Sequence, residues 1–282
     1  MEGVNMSVND DLGTRMKEFY ECVPRFRLTR RTPVAIRLDG RAFHTFTHGF
    51  ERPFDERLGK AMRETMKYLC ENIQGCVLGF QQSDEITLIL IDYQTLTTEA
   101  WFNYEIQKMC SISASMATMA FNRFFENEFN NWSLKAFPID YLSYNTGKIS
   151  VADIELKEAY QKSLNKGAMF DSRCFNIPKE EVANLIYWRQ LDATRNSIQM
   201  VGQANFSHKE LQNKTCNDIQ DMLITQRNIN WNDFPTHLKR GSCCIKNHNF
   251  DEYGNDWGKG WRIDMEIPVF KGEDRAYIEQ LI

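Results

Sequence analysis

The chain predicts an α+β fold: a ferredoxin-like antiparallel sheet with helices on one face, continued by a C-terminal helical and β extension. Three observations carry this. A β-branched run at 32–38 precedes an amphipathic helix pattern and then two apolar runs joined by a short polar turn. A second long helix pattern follows, so the order strand, helix, strand, strand, helix supplies most of a split βαβ unit. From Lys179 onward the character changes to long polar helices and glycine-rich turns.

Each element has its own signal. Residues 11–23 read as a short helix with a stripe of Met16, Phe19, Tyr20 and Val23, ended by Pro24. Strand one spans 32–38, with Pro33 at its start, where a missing ladder donor is tolerated. The helix at 55–72 places Leu58, Met62, Met66, Leu69 and Ile73 on one side, and Asp55 stands where an N-cap is expected. Strands at 76–82 and 85–92 meet at Ser83-Asp84, a hairpin signal. A helix is predicted at 99–126, with small residues such as Ala117 and Ala120 suited to packing on a sheet. Residues 134–138 and 170–177 are expected to complete the sheet. The intervening 139–169 reads as an insertion or mobile loop with some helix near 155–164. Helices at 180–207 and 217–227 come next, then strands at 242–246 and 261–267 around a glycine-rich turn at 254–260.

Composition narrows the class. With 42% hydrophobic and 26% charged residues the chain is ordinary for a globular protein, and no apolar run reaches the roughly 18 residues of a membrane span. The polar, acidic start shows neither a signal nor a transit peptide. Eight cysteines without a Cys-x-x-Cys pair predict neither zinc nor a disulfide framework, so a reducing, cytoplasmic location is expected. A net charge of −4 argues against nonspecific coating of nucleic acid, although Arg25, Arg27, Arg30 and Arg31, and separately Lys239-Arg240, are local basic clusters.

The chemistry concentrates in two places: 37–44, ending strand one, and 82–85, between two strands. Both set carboxylates at strand ends: Asp39, then Asp84 and Glu85. Two acidic clusters brought together hold Mg²⁺ against a triphosphate, because hard cations take oxygen ligands and phosphate completes the shell. Asp-Gly is also a common turn dipeptide, which leaves a purely structural reading open. The same applies to Lys108, a phosphate ligand or a solvent lysine, and to Arg189 and Asp192, substrate contacts or a helix-surface ion pair.

These stretches resemble the tRNA-histidine guanylyltransferase family, and more closely its guanylyltransferase-like branch of 3′–5′ polymerases that repair tRNA 5′ ends. Leu38-Asp39-Gly40-Arg41-Ala42-Phe43-His44, Pro53-Phe54-Asp55-Glu56-Arg57, Gln82-Ser83-Asp84-Glu85 and Phe170-Asp171-Ser172-Arg173 occur in family order. Trp188-Arg189-Gln190-Leu191-Asp192-Ala193, Asn230-Trp231-Asn232 and Lys239-Arg240-Gly241 continue it, so the likeness covers about residues 25–245. It implies a polymerase-like palm in three parts: a catalytic core at 1–138, an insertion at 139–169, and a region at 170–282 that completes the sheet and binds tRNA.

Carried over by position, the resemblance implies Asp39, Gly40 (through its carbonyl) and Asp84 as ligands of two Mg²⁺, with Glu85 completing the catalytic cluster. Gly40, Arg41, Ala42, Phe43, His44, Arg52, Ser83 and Lys108 would hold triphosphate, and Asp55 the nucleotide. Arg189, Asp192, Asn196, Lys239 and Arg240 would face tRNA. ATP, GTP and other nucleoside triphosphates are the implied small substrates, and a homotetramer the implied assembly. Two departures stand out. Thr194-Arg195-Asn196-Ser197 replaces the eukaryotic His-Ile-Asn-Asn, and Asn103-Tyr104-Glu105 replaces a basic stretch. Both favour templated repair of tRNA over addition of a single guanosine to the histidine tRNA. A nucleotidyl cyclase of the same palm and a non-catalytic RNA-binding module are the competing readings.

Overall fold

The computed structural model describes residues 11–137, 150–250 and 256–282. Strands β1 (Val34–Gly40), β2 (Cys76–Gln82), β3 (Glu85–Leu90), β4 (Phe170–Asn176), β5 (Ser242–Phe250) and β6 (Asp256–Asp264) form one antiparallel sheet ordered β4-β1-β3-β2-β5-β6. The helices are α1 (Asp11–Met16), α2 (Phe43–Phe46), α3 (Glu56–Asn72), α4 (Ile106–Ala136), α5 (Val151–Lys166) and α6 (Lys179–Asn205), then α7 (His208–Leu211), α8 (Cys216–Arg227), α9 (Thr236–Arg240) and α10 (Ala276–Glu279).

Side-chain alternation sorts the central strands between two layers. Val34, Ile36 and Leu38 of β1, with Ile86, Leu88 and Leu90 of β3, pack with Met62, Met66 and Leu69 of α3 and Phe121 and Phe125 of α4. Ala35, Leu78, Phe80 and Ile89 face the other way, against Val182 and Ile186 of α6 and Ile267, Phe270 and Ile278. Helices therefore cover both faces, not one. Every residue of β3 is buried, and a strand apolar at successive positions needs cover on each side.

Three further expectations change. The strand expected at 134–138 is the end of α4 as far as Ala136. Phe129 and Phe137 pack their rings on Trp132, which extends the helix's apolar stripe past the predicted end, and residue 138 lies outside the described residues. Helix α4 also begins later than predicted, at Ile106, after a short turn at Trp101–Tyr104. The helix expected near 155–164 is present as α5, longer at both ends and closed at its start by a reciprocal Ser150–Asp153 capping box. Its fully buried Tyr160 sits edge-on to Phe50, Phe125 and Trp132; residues 139–149 lie outside the described part. Finally, the C-terminal strands belong to the main sheet: Leu78 pairs with Ile245 and Phe80 with Cys243. β6 runs from Asp256 to Asp264, taking up most of the expected turn at 254–260. The N-terminal helix is α1 followed by one π-helical turn, Lys17–Glu21, with Phe19 and Val23 exposed.

Candidate active site

β1 and the β2–β3 turn end at the same sheet edge. Asp39 lies directly opposite Glu85 on one side and Asp171 of β4 on the other, and directly opposed residues share a face. The Gly40 amide donates to the Asp84 carbonyl at 3.0 Å, which fixes the two loops together. Ser83, first residue of the turn, has φ 49°, in the left-handed region. Gly40 admits no side chain, because a Cβ there would meet the Phe43 ring at 2.3 Å.

Beside this edge lies a cavity of about 500 Å³, lined by Gly40, Ala42, Phe43, His44, Arg52, Asp55, Ser83 and Asp84, and closed by Met200 and Gln203 of α6. Ala42 adopts φ 55° and turns the chain into α2. Among the described residues, the amides of Ala42, Phe43 and His44 donate to no carbonyl, so the rim offers a row of unused donors suited to an anion.

The carboxylates are costly as they stand. Burial pushes Asp84 up to about 6, and Asp39 adds repulsion. Burial and then Asp171 raise Asp39, while burial raises Glu85 against the opposing pull of Arg189. Arg189 is itself buried and donates from Nη1 to Glu85 Oε2 at 2.8 Å; its Nη2 is 3.3 Å from Asp192. Glu85 Oε1 is buried with no partner among the described residues. A nearby cation would relieve all three carboxylates. Among the described residues no group of three or more His, Cys, Asp or Glu side chains forms a metal cage. Mg²⁺ is commonly held through one or two carboxylates, with phosphate and water filling the shell. The oxygen-only donors Asp39, Asp84 and the Gly40 carbonyl fit that ion.

Other expected site residues have different surroundings. Asp55 caps α3: its Oδ1 accepts the Leu58 amide at 3.0 Å, and its Oδ2 accepts the Glu51 amide at 3.2 Å and the Tyr160 hydroxyl at 2.5 Å. It forms part of the cavity wall with its acceptors already engaged. Arg41 is exposed and does not line the cavity; its amide donates to the Met169 carbonyl at 2.8 Å. Lys108 is also apart from the cavity, exposed and 3.8 Å from Glu105. Helix α4 passes the site at Thr118, whose hydroxyl accepts the Phe170 amide, and that lies ten residues, about 15 Å, further along.

Of the residues expected to face tRNA, Arg189 is instead the buried partner of Glu85. Lys239 is internal too: Nζ donates to the Asn232 carbonyl at 2.5 Å, and burial lowers its pKa. Arg240 sits 5.9 Å from the Trp231 ring centroid. Asn196 lines a smaller cavity of about 90 Å³ with Gln82 and His237. Asp192 is held between Arg189 and Arg195. The sequence reading missed Arg189 as the partner of Glu85, and Tyr160 as the support of Asp55. The i,i+3 spacing of Arg189 and Asp192 predicted their contact, but no local pattern points from Arg189 to Glu85.

The family model of the tRNA(His) guanylyltransferases matches residues 13–178. The chain belongs to that family. It is therefore a nucleotidyltransferase by descent. A protein of Acanthamoeba polyphaga mimivirus, itself uncharacterised, is 29% identical over 86% of this chain and 79% of its own length. The tRNA(His) guanylyltransferase of Saccharomyces cerevisiae is 26% identical over 74% of this chain and 80% of its own. Among solved structures, a bacterial guanylyltransferase-like protein in complex with ATP superposes with a TM-score of 0.75 at 40% identity, covering 96% of this chain and 98% of that one.

Proposed function

We propose that this protein extends the 5′ end of tRNA in the 3′–5′ direction, reading the opposite strand as template to repair shortened ends. The observation that carries the reading is the pair of costly carboxylates, Asp84 in the wall of a cavity rimmed by unused amides and Asp39 next to Gly40 of that wall. The likeness to bacterial guanylyltransferase-like structures in complex with ATP and with GTP supports a triphosphate in that cavity.

Asp39, Asp84 and the Gly40 carbonyl would hold two Mg²⁺. Bound there, such ions would neutralise phosphate oxygens and lower the pKa of an incoming 3′-hydroxyl. The amides of Ala42, Phe43 and His44, with Arg52 and Ser83, orient the triphosphate. Arg189 holds the Glu85 carboxylate in place through Oε2, while Oε1 has no partner among the described residues. In the first step an oxygen of the RNA 5′-monophosphate attacks the α-phosphate of ATP, or of GTP, and pyrophosphate leaves. In the second, the 3′-hydroxyl of a nucleoside triphosphate attacks the activated 5′-phosphate, and the nucleoside monophosphate leaves.

The departures noted in the sequence favour templated repair. The Thr194 hydroxyl donates to the Gln190 carbonyl at 3.0 Å within its own helix, and Glu105 is buried 3.7 Å from Arg25. The second reading is addition of a single guanosine to the histidine tRNA, favoured by the curated relatives that carry that name. We place the enzyme in the cytoplasm as a homotetramer, its exposed Phe19, Tyr20, Val23 and Phe26 providing apolar surface for assembly.

The test is incubation with Mg²⁺, ATP, GTP and a tRNA lacking its first nucleotide, alongside Asp84→Ala. No 5′ addition by the wild type would sink the proposal. Undiminished addition by Asp84→Ala would remove the metal assignment. Matched and mismatched 3′ strands, on tRNAs of several anticodons, separate repair from single-guanosine addition.

A further inference from the structure

The sheet face that carries Asp39 and Glu85 also carries a basic patch. Arg37 on β1 lies directly opposite Arg173 on β4, one pleat away from Asp39 and Asp171. Like charges directly opposed across strands repel. Arg173 offsets this through Asp171 at 2.9 Å. Arg37 has no ion pair among the described residues, and its Nε is buried without a hydrogen-bond partner.

Beside them stands Trp188 of α6, 52% exposed. The Arg189 guanidinium lies 3.7 Å and that of Arg37 5.9 Å from its ring centroid. The apolar residues of α6 pack toward Leu78, Phe80 and Ile89. Among the described residues nothing comparable covers the outer part of this face, where Asp171 and Arg173 are about half exposed. Neither Trp188, Arg37 nor Arg173 lines the cavity that suits a triphosphate. The patch therefore reaches the carboxylates by a different approach.

A large ring left open beside guanidinium groups is how proteins hold unpaired nucleotides: the base stacks on the ring and the cations take its phosphate. We propose that Trp188, Arg37 and Arg173 form the platform for the terminal nucleotide at the RNA 5′ end. The base stacks on the indole, and the 5′-phosphate lies against the two arginines next to Asp39. This rests on the reading that RNA 5′ ends are the substrate, and it gives a ligand to two opposed arginines that within the fold itself offset the Asp39 charge. The contact is made to a π-face and a phosphate, so it is indifferent to base identity. That matches an enzyme whose sequence choice comes from a template.

The test is direct binding in EDTA, without nucleotide, of a labelled acceptor-stem hairpin with an unpaired, 5′-monophosphorylated end. Trp188→Ala should weaken binding about tenfold, and Trp188→Phe, which keeps a stacking face, by no more than about threefold. Arg173→Ala should weaken it and flatten the dependence of log Kd on log salt by about 0.7, one phosphate contact on a single strand. On a hairpin lacking the 5′-phosphate, Arg173→Ala should make no further difference. Binding by Trp188→Ala equal to wild type would overturn the platform. So would equal losses in the Phe and Ala variants accompanied by a lowered Tm, which would show a packing role. Nucleotide addition is measured in parallel. If the wild type adds nothing while this binding pattern holds, the activity reading fails and the platform stands.

Discussion

Replacing Asp84 with Asn should abolish nucleotide addition and, in metal-free buffer at neutral pH, make the protein more stable. The carboxyl is pushed from its ordinary 3.8 up to about 6 by burial, with Asp39 adding repulsion. The sign follows from linkage. A carboxyl whose folded pKa is raised is accommodated in its protonated form, so its penalty is absent below about pH 4. The penalty grows as pH rises toward 6 and is fully present above. A shift of roughly 2 units at 1.36 kcal/mol per unit amounts to about 3 kcal/mol. The carboxamide keeps the shape and removes the charge. For a chain of this size about 2 °C accompanies each kcal/mol, so Tm should rise by about 6 °C at pH 7.5 in EDTA. At pH 4.5 the gain should fall to about a third. Scanning calorimetry of both proteins at the two pH values, with and without Mg²⁺ and ATP, reads this out; ligand should stabilise the wild type and not the variant. A lower Tm for Asp84→Asn in EDTA at pH 7.5, or a pH-independent difference, would refute the claim that this charge is held at a cost.

Arg189→Ala should cost about 3–5 kcal/mol in urea denaturation, because it strands the buried Glu85 carboxylate; a loss below about 1 kcal/mol would show that the pair does not hold the site. Tyr160→Phe removes the hydroxyl that Asp55 accepts, and about 2 kcal/mol of stability should go with it. A Tm equal to wild type would contradict that bond. Lys108→Ala should leave kcat/KM for ATP within about twofold, since its ammonium stands apart from the cavity. Lys239→Ala should instead lower stability by about 2 kcal/mol by removing a buried donor to Asn232. A tenfold rise in KM for Lys108→Ala would restore it as a phosphate ligand.

Much of this was legible before any coordinates. The β-branched 32–38 stretch, the Asp-Gly turn after it and the polar break at Ser83-Asp84 each follow from backbone chemistry over a few residues. Local pattern therefore located the candidate carboxylates, and the helix signal at 55–72 located α3 with its cap. Patterns also failed where packing overrode them. Residues 134–138 looked like a strand, and instead the ring contacts of Trp132 with Phe137 and Tyr160 prolong α4 to Ala136. The helix expected near 155–164 is longer than its pattern showed, because one fully buried tyrosine and a capping box anchor it. Ser242 to Ile245 looked like a separate extension, yet β2 had an open edge to pair.

The same division holds at the site. Short-range steric and hydrogen-bonding preferences were enough to put Asp39, Asp84 and Glu85 at strand ends, because turns and strands are written over a handful of residues. Which of them share a face, that Arg189 comes to Glu85 across 104 positions, and that Lys239 turns inward while Trp188 turns out, depend on register and helix placement. Those are set by long-range burial, where one apolar face chooses its partner among many. No window of sequence contains that choice.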